Sequence, residues 1–129
     1  MAPTEAKKIL VVDDSRTIRQ VAETILTTEG YHVITAEDGY EALSVLHDHE
    51  FVMVFMDVMM PRLDGFQTCV LIKNHEHYEK LPIVMLSSKD GAFDQARGKL
   101  LGCEQYMTKP FTRKDILDVA RQYALETQQ

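Results

Sequence analysis

A chain of 129 residues has the size of one domain with a core of its own, and 45% hydrophobic with 26% charged residues is ordinary globular usage, which excludes disordered and fibrous classes. Fourteen basic against twenty acidic side chains leave a formal charge of −6, which repels a phosphate backbone and sets direct nucleic-acid binding aside. No apolar run approaches the roughly 20 residues that cross a bilayer, and MAPTEAKK is followed by none long enough for a secretory leader. We therefore expect a cytoplasmic protein without membrane insertion, one domain over residues 1–129 with its core at about 8–126.

In chain order, the apolar run Ile9–Val12 predicts a first strand. Ile18, Val21, Ala22, Ile25 and Leu26 then recur at helical spacing, and Gly30 stands where that helix should stop. Tyr31–Thr35 is the second strand, after which Asp38 with Glu41 opens a second helix in the manner of a capping box. Phe51–Met56 is the third strand, and Asp64 with Gln67 opens the third helix. Pro82–Leu86 is the fourth strand; Phe93, Ala96, Leu100 and Leu101 mark a fourth helix that Gly102 ends. Gln105–Thr108 is the fifth strand, and Thr112 with Asp115 opens a fifth helix carried by Ile116, Leu117, Ala120, Tyr123 and Ala124.

Strand and helix thus alternate five times. Such a chain needs right-handed crossovers and a parallel sheet with helices on both faces, a doubly wound α/β domain. The nearly unbroken apolar character of the first, third and fourth strands fits strands covered on both faces.

Ligands of such sheets bind at the carboxyl ends of the strands. Asp13 and Asp14 follow the first strand and Asp57 the third, so three carboxylates converge on one edge. Their mutual repulsion raises at least one pKa unless a cation intervenes. A hard divalent ion suits all-oxygen ligands, Mg²⁺ first and Mn²⁺ as a substitute. Ser87 ends the fourth strand and Lys109 the fifth. Singly, each has an ordinary reading: a helix cap, a turn serine, a solvated lysine. Together at one edge they supply a carboxylate nucleophile, a metal site, a hydroxyl donor and a fixed positive charge, the requirements of phosphoryl transfer.

The segments VVDDS, MDVMMPRLDG, MLSS and YMTKPF, spread over the whole chain, resemble those of bacterial two-component response regulator receiver domains. That resemblance implies a flavodoxin-like fold with five helices and strand order 2-1-3-4-5. It implies that Asp57 is the phosphoacceptor, that Asp14 ligates the metal directly and Asp13 through water, and that the Met59 backbone carbonyl completes the set. Ser87 would bind the phosphoryl group and Lys109 pair with it, Tyr106 would be the switch aromatic, and the bond before Pro110 would be cis. The donor would be a CheA-type histidine kinase. The target would dock on the face of the fourth helix, fifth strand and fifth helix. Met59 and Lys89, at variable positions flanking the pocket, would tune the lifetime of the phosphorylated state. Loop wording is closest to the single-domain regulators of the chemosensory systems behind type IV pili and twitching motility, with a flagellar-chemotaxis regulator or phosphate sink as the alternative.

An aspartate-nucleophile phosphatase is the rival enzyme, but its D-x-D pair is absent from Asp57-Val58-Met59, and no GxxxxGK[ST] loop supports a nucleotide hydrolase. We expect a switch and not an enzyme acting on outside substrates. His47 with His49, and His75 with His77, lack a third ligand at sensible spacing and read as exposed. Cys69 and Cys103, far apart in sequence, read as packing residues without a role, as do the methionines.

Overall fold

The structure, a computed structural model, describes residues 7–87, 96–97 and 101–126, the side chains of 125 and 126 excepted. Strands β1 (Lys8–Val12), β2 (His32–Ala36), β3 (Met53–Asp57), β4 (Ile83–Ser87) and β5 (Gln105–Thr108) form one parallel sheet in the order β2-β1-β3-β4-β5. Helices α1 (Arg16–Thr28), α2 (Gly39–Asp48) and α3 (Gly65–Lys73), a 3-10 turn at Glu76–Tyr78 and a C-terminal helix (Arg113–Glu126) connect and follow them.

Although β3 and β4 are buried at every position, their side chains still alternate in destination. Ile9, Val11, Met53, Phe55, Val84 and Leu86 meet Ala22 and Leu26 of α1 and Ile116 and Ala120 of the C-terminal helix. Leu10, Val12, Val54, Met56, Ile83 and Met85 face the other way, toward Ala42 and Leu46 of α2 and Phe66 and Cys69 of α3. One sheet therefore separates two cores, which is why continuous apolar runs were needed in its central strands.

The helix starts follow the chemistry of exposed amides. Asp64 accepts from Gln67 N at 2.8 Å while the Gln67 side chain accepts from Asp64 N at 3.0 Å. Thr112 and Asp115 exchange the same pair of bonds at 3.1 and 3.0 Å. The expected Asp38–Glu41 box is shifted: Asp38 accepts from Glu41 N, but the Glu41 carboxylate turns to Glu37 N. Gly30 (φ 96°) and Gly102 (φ 90°) take the left-handed conformation that ends helices.

Several strand limits and one helix face need correction. Phe51 and Val52 precede β3, Tyr31 precedes β2 and Pro82 precedes β4. The strands instead run on to Ala36, Asp57 and Ser87, because parallel pairing such as Asp57 with Leu86 and Ser87 with Thr108 continues past the apolar run. Val21 is 43% exposed, since α1 rests on the line through Ala22 and Leu26. Four helices and a 3-10 turn are counted among the described residues where five helices were expected. Of the expected fourth, Ala96 and Arg97 are helical, Leu101 is in a turn, and Phe93 and Leu100 lie outside the described residues.

Candidate functional site

The site is a consequence of register. Val12 pairs with Met56, so Asp13, next along the chain, stands beside Asp57 at the carboxyl edge of the sheet. Asp57 pairs with Leu86 and Ser87 with Thr108, which brings Ser87 and then Lys109 to the same edge. Five residues from four strand ends meet because the strands are parallel and stop together.

Asp13 is fully buried and Asp57 nearly so, while Asp14 is exposed at the rim. Their carboxylate oxygens lie within 4.8 Å of one another. Lys109 Nζ reaches between them, 3.0 Å from Asp13 Oδ2 and 3.2 Å from Asp57 Oδ1. Backbone amides complete the shell: Ser15 N donates to Asp13 Oδ1 at 2.9 Å and Met59 N to Asp57 Oδ1 at 3.3 Å. Arg19 Nη1 holds the Asp13 carbonyl at 2.7 Å.

Burial, and after it the Asp13 charge, push the Asp57 carboxyl up to about 7 against the pull of Lys109. Burial pulls the Lys109 ammonium down, yet its hydrogen bond to Asp13 and the charges of Asp57 and Asp13 outweigh this and hold it above its usual range. One lysine thus leaves the carboxylates under-compensated. Three converging carboxylates, two of them sheltered and one open to solvent, are the donor set a hard divalent cation takes.

Ser87 is buried at the end of β4, and its carbonyl accepts from Lys109 N. The Lys109–Pro110 peptide is cis. Met59 projects its side chain outward, 70% exposed, while its amide faces Asp57. Tyr106 is half-buried on β5 against the α2–α3 core, in register with Met85. Lys89 lies outside the described residues. The histidines sit at the opposite edge: His49 Nδ1 is 3.3 Å from Lys8 Nζ, and His77 is 3.4 Å from Glu50.

Two contributors were missed in the sequence. Gly65, the first residue of α3, donates its amide to Val58 O at 2.9 Å, and a Cβ there would overlap the Asp57 carbonyl oxygen. A glycine directly after a capping aspartate was the available signal. Arg19 gave none, because its role depends on how α1 lies over the end of β1.

A doubly wound sheet with a buried carboxylate pair, a rim carboxylate and a bridging lysine at its carboxyl edge is the architecture of a signalling receiver domain. Residues 9–121 match the family model described as the response regulator receiver domain, and the chain belongs to that family, whose members act as signalling switches. Over 114 residues it is 51% identical to protein PilG of Pseudomonas aeruginosa, covering 88% of this chain and 84% of that one. It is 42% identical to the alkaline phosphatase synthesis transcriptional regulatory protein PhoP of Bacillus subtilis over 85% of this chain but 45% of that protein. The chemotaxis protein CheY4 of Vibrio cholerae superposes with a TM-score of 0.89 at 33% identity, covering 92% of this chain and 99% of that chain.

Proposed function

We propose that the chain is a cytoplasmic response regulator that takes a phosphoryl group on Asp57 from a CheA-type histidine kinase. The observation that carries this reading is the Asp13–Lys109–Asp57 arrangement, in which one ammonium bridges two buried carboxylates and a third stands at the rim. An Asp57 oxygen attacks phosphorus, the P–N bond of a phosphohistidine breaks, and the imidazole leaves with the bonding pair. Lys109 then turns from the carboxylates to a phosphoryl oxygen, and the Ser87 hydroxyl donates to another. A bound Mg²⁺ supplies charge neutralisation there, with Asp13, Asp14, Asp57 and the Met59 carbonyl as its holders.

Movement of Ser87 toward the phosphoryl group frees space for the Tyr106 ring, and burying that ring shifts a two-state equilibrium of the face around β5 and the C-terminal helix. Likeness to PilG over most of both chains supports a role in type IV pilus twitching motility. The likeness to CheY4 favours a second reading, a flagellar-chemotaxis regulator.

Acetyl phosphate with Mg²⁺ should add one phosphoryl group to the wild type and none to Asp57→Asn; labelling of that variant at Asp13 or Asp14 would refute the assignment. A pull-down with and without beryllofluoride separates the pathways. Pilus-motor or adenylate-cyclase pathway proteins on the loaded form support the first reading and a flagellar switch protein the second.

A further inference from the structure

The two cysteines, 34 positions apart in sequence, meet in the core: Cys69 Sγ on α3 and Cys103 Sγ ahead of β5 are 2.9 Å apart, the first fully buried and the second 8% exposed. Disulfide sulfurs lie about 2.05 Å apart, so closure asks for a movement of less than about 1 Å. The neighbouring residues already hold these elements together. Glu104 Oε1 accepts from Ile83 N at 2.7 Å, Glu104 Oε2 pairs with Lys73 Nζ of α3 at 2.9 Å, and Lys73 Nζ also donates to Leu81 O at 2.6 Å. A bond between the sulfurs would therefore join segments that are already clamped one residue and one helical turn away.

We propose that Cys69 and Cys103 form a reversible dithiol–disulfide site, oxidised by peroxide, that ties α3 to β5. The hydrogen bond from Cys103 pulls the Cys69 thiol below its ordinary range against the effect of burial, with help from Lys73, which makes Cys69 the more acidic partner and the attacking sulfur. Its sulfur attacks one peroxide oxygen, the O–O bond breaks, the departing hydroxide takes the Cys69 proton and leaves as one water, and a sulfenic acid remains. The Cys103 sulfur then attacks the sulfenic sulfur, and the displaced hydroxide takes the Cys103 proton and leaves as a second water. Two thiols lose two electrons and two protons; hydrogen peroxide gains both.

The crosslink would join two elements whose far ends reach the phosphorylation pocket. α3 begins at Gly65 against the Asp57 carbonyl, and β5 carries Tyr106 and runs on to Lys109. Oxidation should hinder repacking of β5, a consequence that rests on the switch reading above.

Because the chain has two cysteines, alkylation counts the pair directly. The whole reduced protein is treated with hydrogen peroxide, denatured, alkylated with N-ethylmaleimide and weighed. We expect a monomer about 2 Da lighter with no alkylation, restored to two alkylated thiols by dithiothreitol. Cys69→Ala and Cys103→Ala, tested separately so that one misfolding variant does not decide the matter, should each lack that product. Two thiols still free in the native protein after oxidant that exhausts the urea-unfolded chain would overturn the site, as would oxygen addition without the 2 Da loss. The yield of phosphorylated protein from acetyl phosphate should fall severalfold on oxidation, and equal yields would overturn the regulatory consequence. Failure of the reduced protein to label at Asp57 would count against the phosphoacceptor and leave the thiol result standing.

Discussion

The backbone of Gly65 lies against the carbonyl of Asp57, so closely that no side chain fits between them. The capping box of Asp64 and Gln67 fixes the start of α3 at that place, and the Gly65–Val58 hydrogen bond pins it to the loop after β3. Replacing Gly65 with alanine should force the helix or the loop away, costing about 1–3 kcal/mol by urea denaturation. Acetyl phosphate labelling of Asp57 should slow in the same variant, whereas loss of stability with unchanged labelling would mean that the contact only supports the fold.

Asp57 gives a pH dependence whose sign is opposite to that of a carboxylate whose pKa an ion pair depresses. Its pKa rises from the ordinary 3.8 to about 7 on folding, so between those values the native state holds more protons than the unfolded one. Stability of the metal-free protein should then fall as pH rises through that window, by roughly 2–4 kcal/mol. Denaturation in EDTA from pH 4 to 8 measures it. Asp57→Asn and excess Mg²⁺ should each flatten the fall, and a rise with pH would show that Lys109 outweighs burial.

The two adjacent acids should separate in their effects. Asp14 is exposed, so Asp14→Ala should change stability by less than about 0.5 kcal/mol while weakening Mg²⁺ binding most. Asp13 is buried and paired with Lys109, so Asp13→Ala should cost several times more stability and affect Mg²⁺ less. Titration calorimetry and denaturation of both variants check the order, and a larger Mg²⁺ defect in Asp13→Ala would exchange the two roles.

Ser87→Ala keeps the nucleophile and its acidic neighbours, so labelling should persist. Partner binding should respond less to phosphorylation, because no hydroxyl draws the end of β4 toward the phosphoryl group. A full response in this variant would remove Ser87 from the coupling.

The lifetime of the phosphorylated state tests Met59 and Lys89. An attacking water needs a hydrogen-bonding partner in line with the phosphoryl group, and the outward Met59 thioether offers only a weak acceptor. Met59→Asn with Lys89→Glu should speed hydrolysis about tenfold, equivalent to about 1.4 kcal/mol of barrier. Decay of labelled protein in Mg²⁺ without kinase is the measurement, and unchanged decay would exclude these side chains as its determinants.

What could be read from the sequence was whatever local chemistry imposes. Unbroken apolar runs at Ile9–Val12 and within β3 and β4 demanded a sheet covered on both faces, and paired caps such as Asp64 with Gln67 located helix starts from adjacent residues alone. Asp13, Asp57, Ser87 and Lys109 were legible because each ends a strand or directly follows one, and parallel strands that stop together must bring their ends together. Strand limits were displaced where ladder pairing overrode the apolar pattern, as at Asp57 and Ser87, and Val21 was misplaced because helical spacing does not say how wide a face the sheet will cover. The glycine after Asp64 was a local signal, but its close approach to Asp57, like the meeting of Cys69 with Cys103, was decided by the tertiary structure. Both depend on where α3 settles against the sheet, a position set by side-chain packing between segments distant in sequence and carried by no spacing within either.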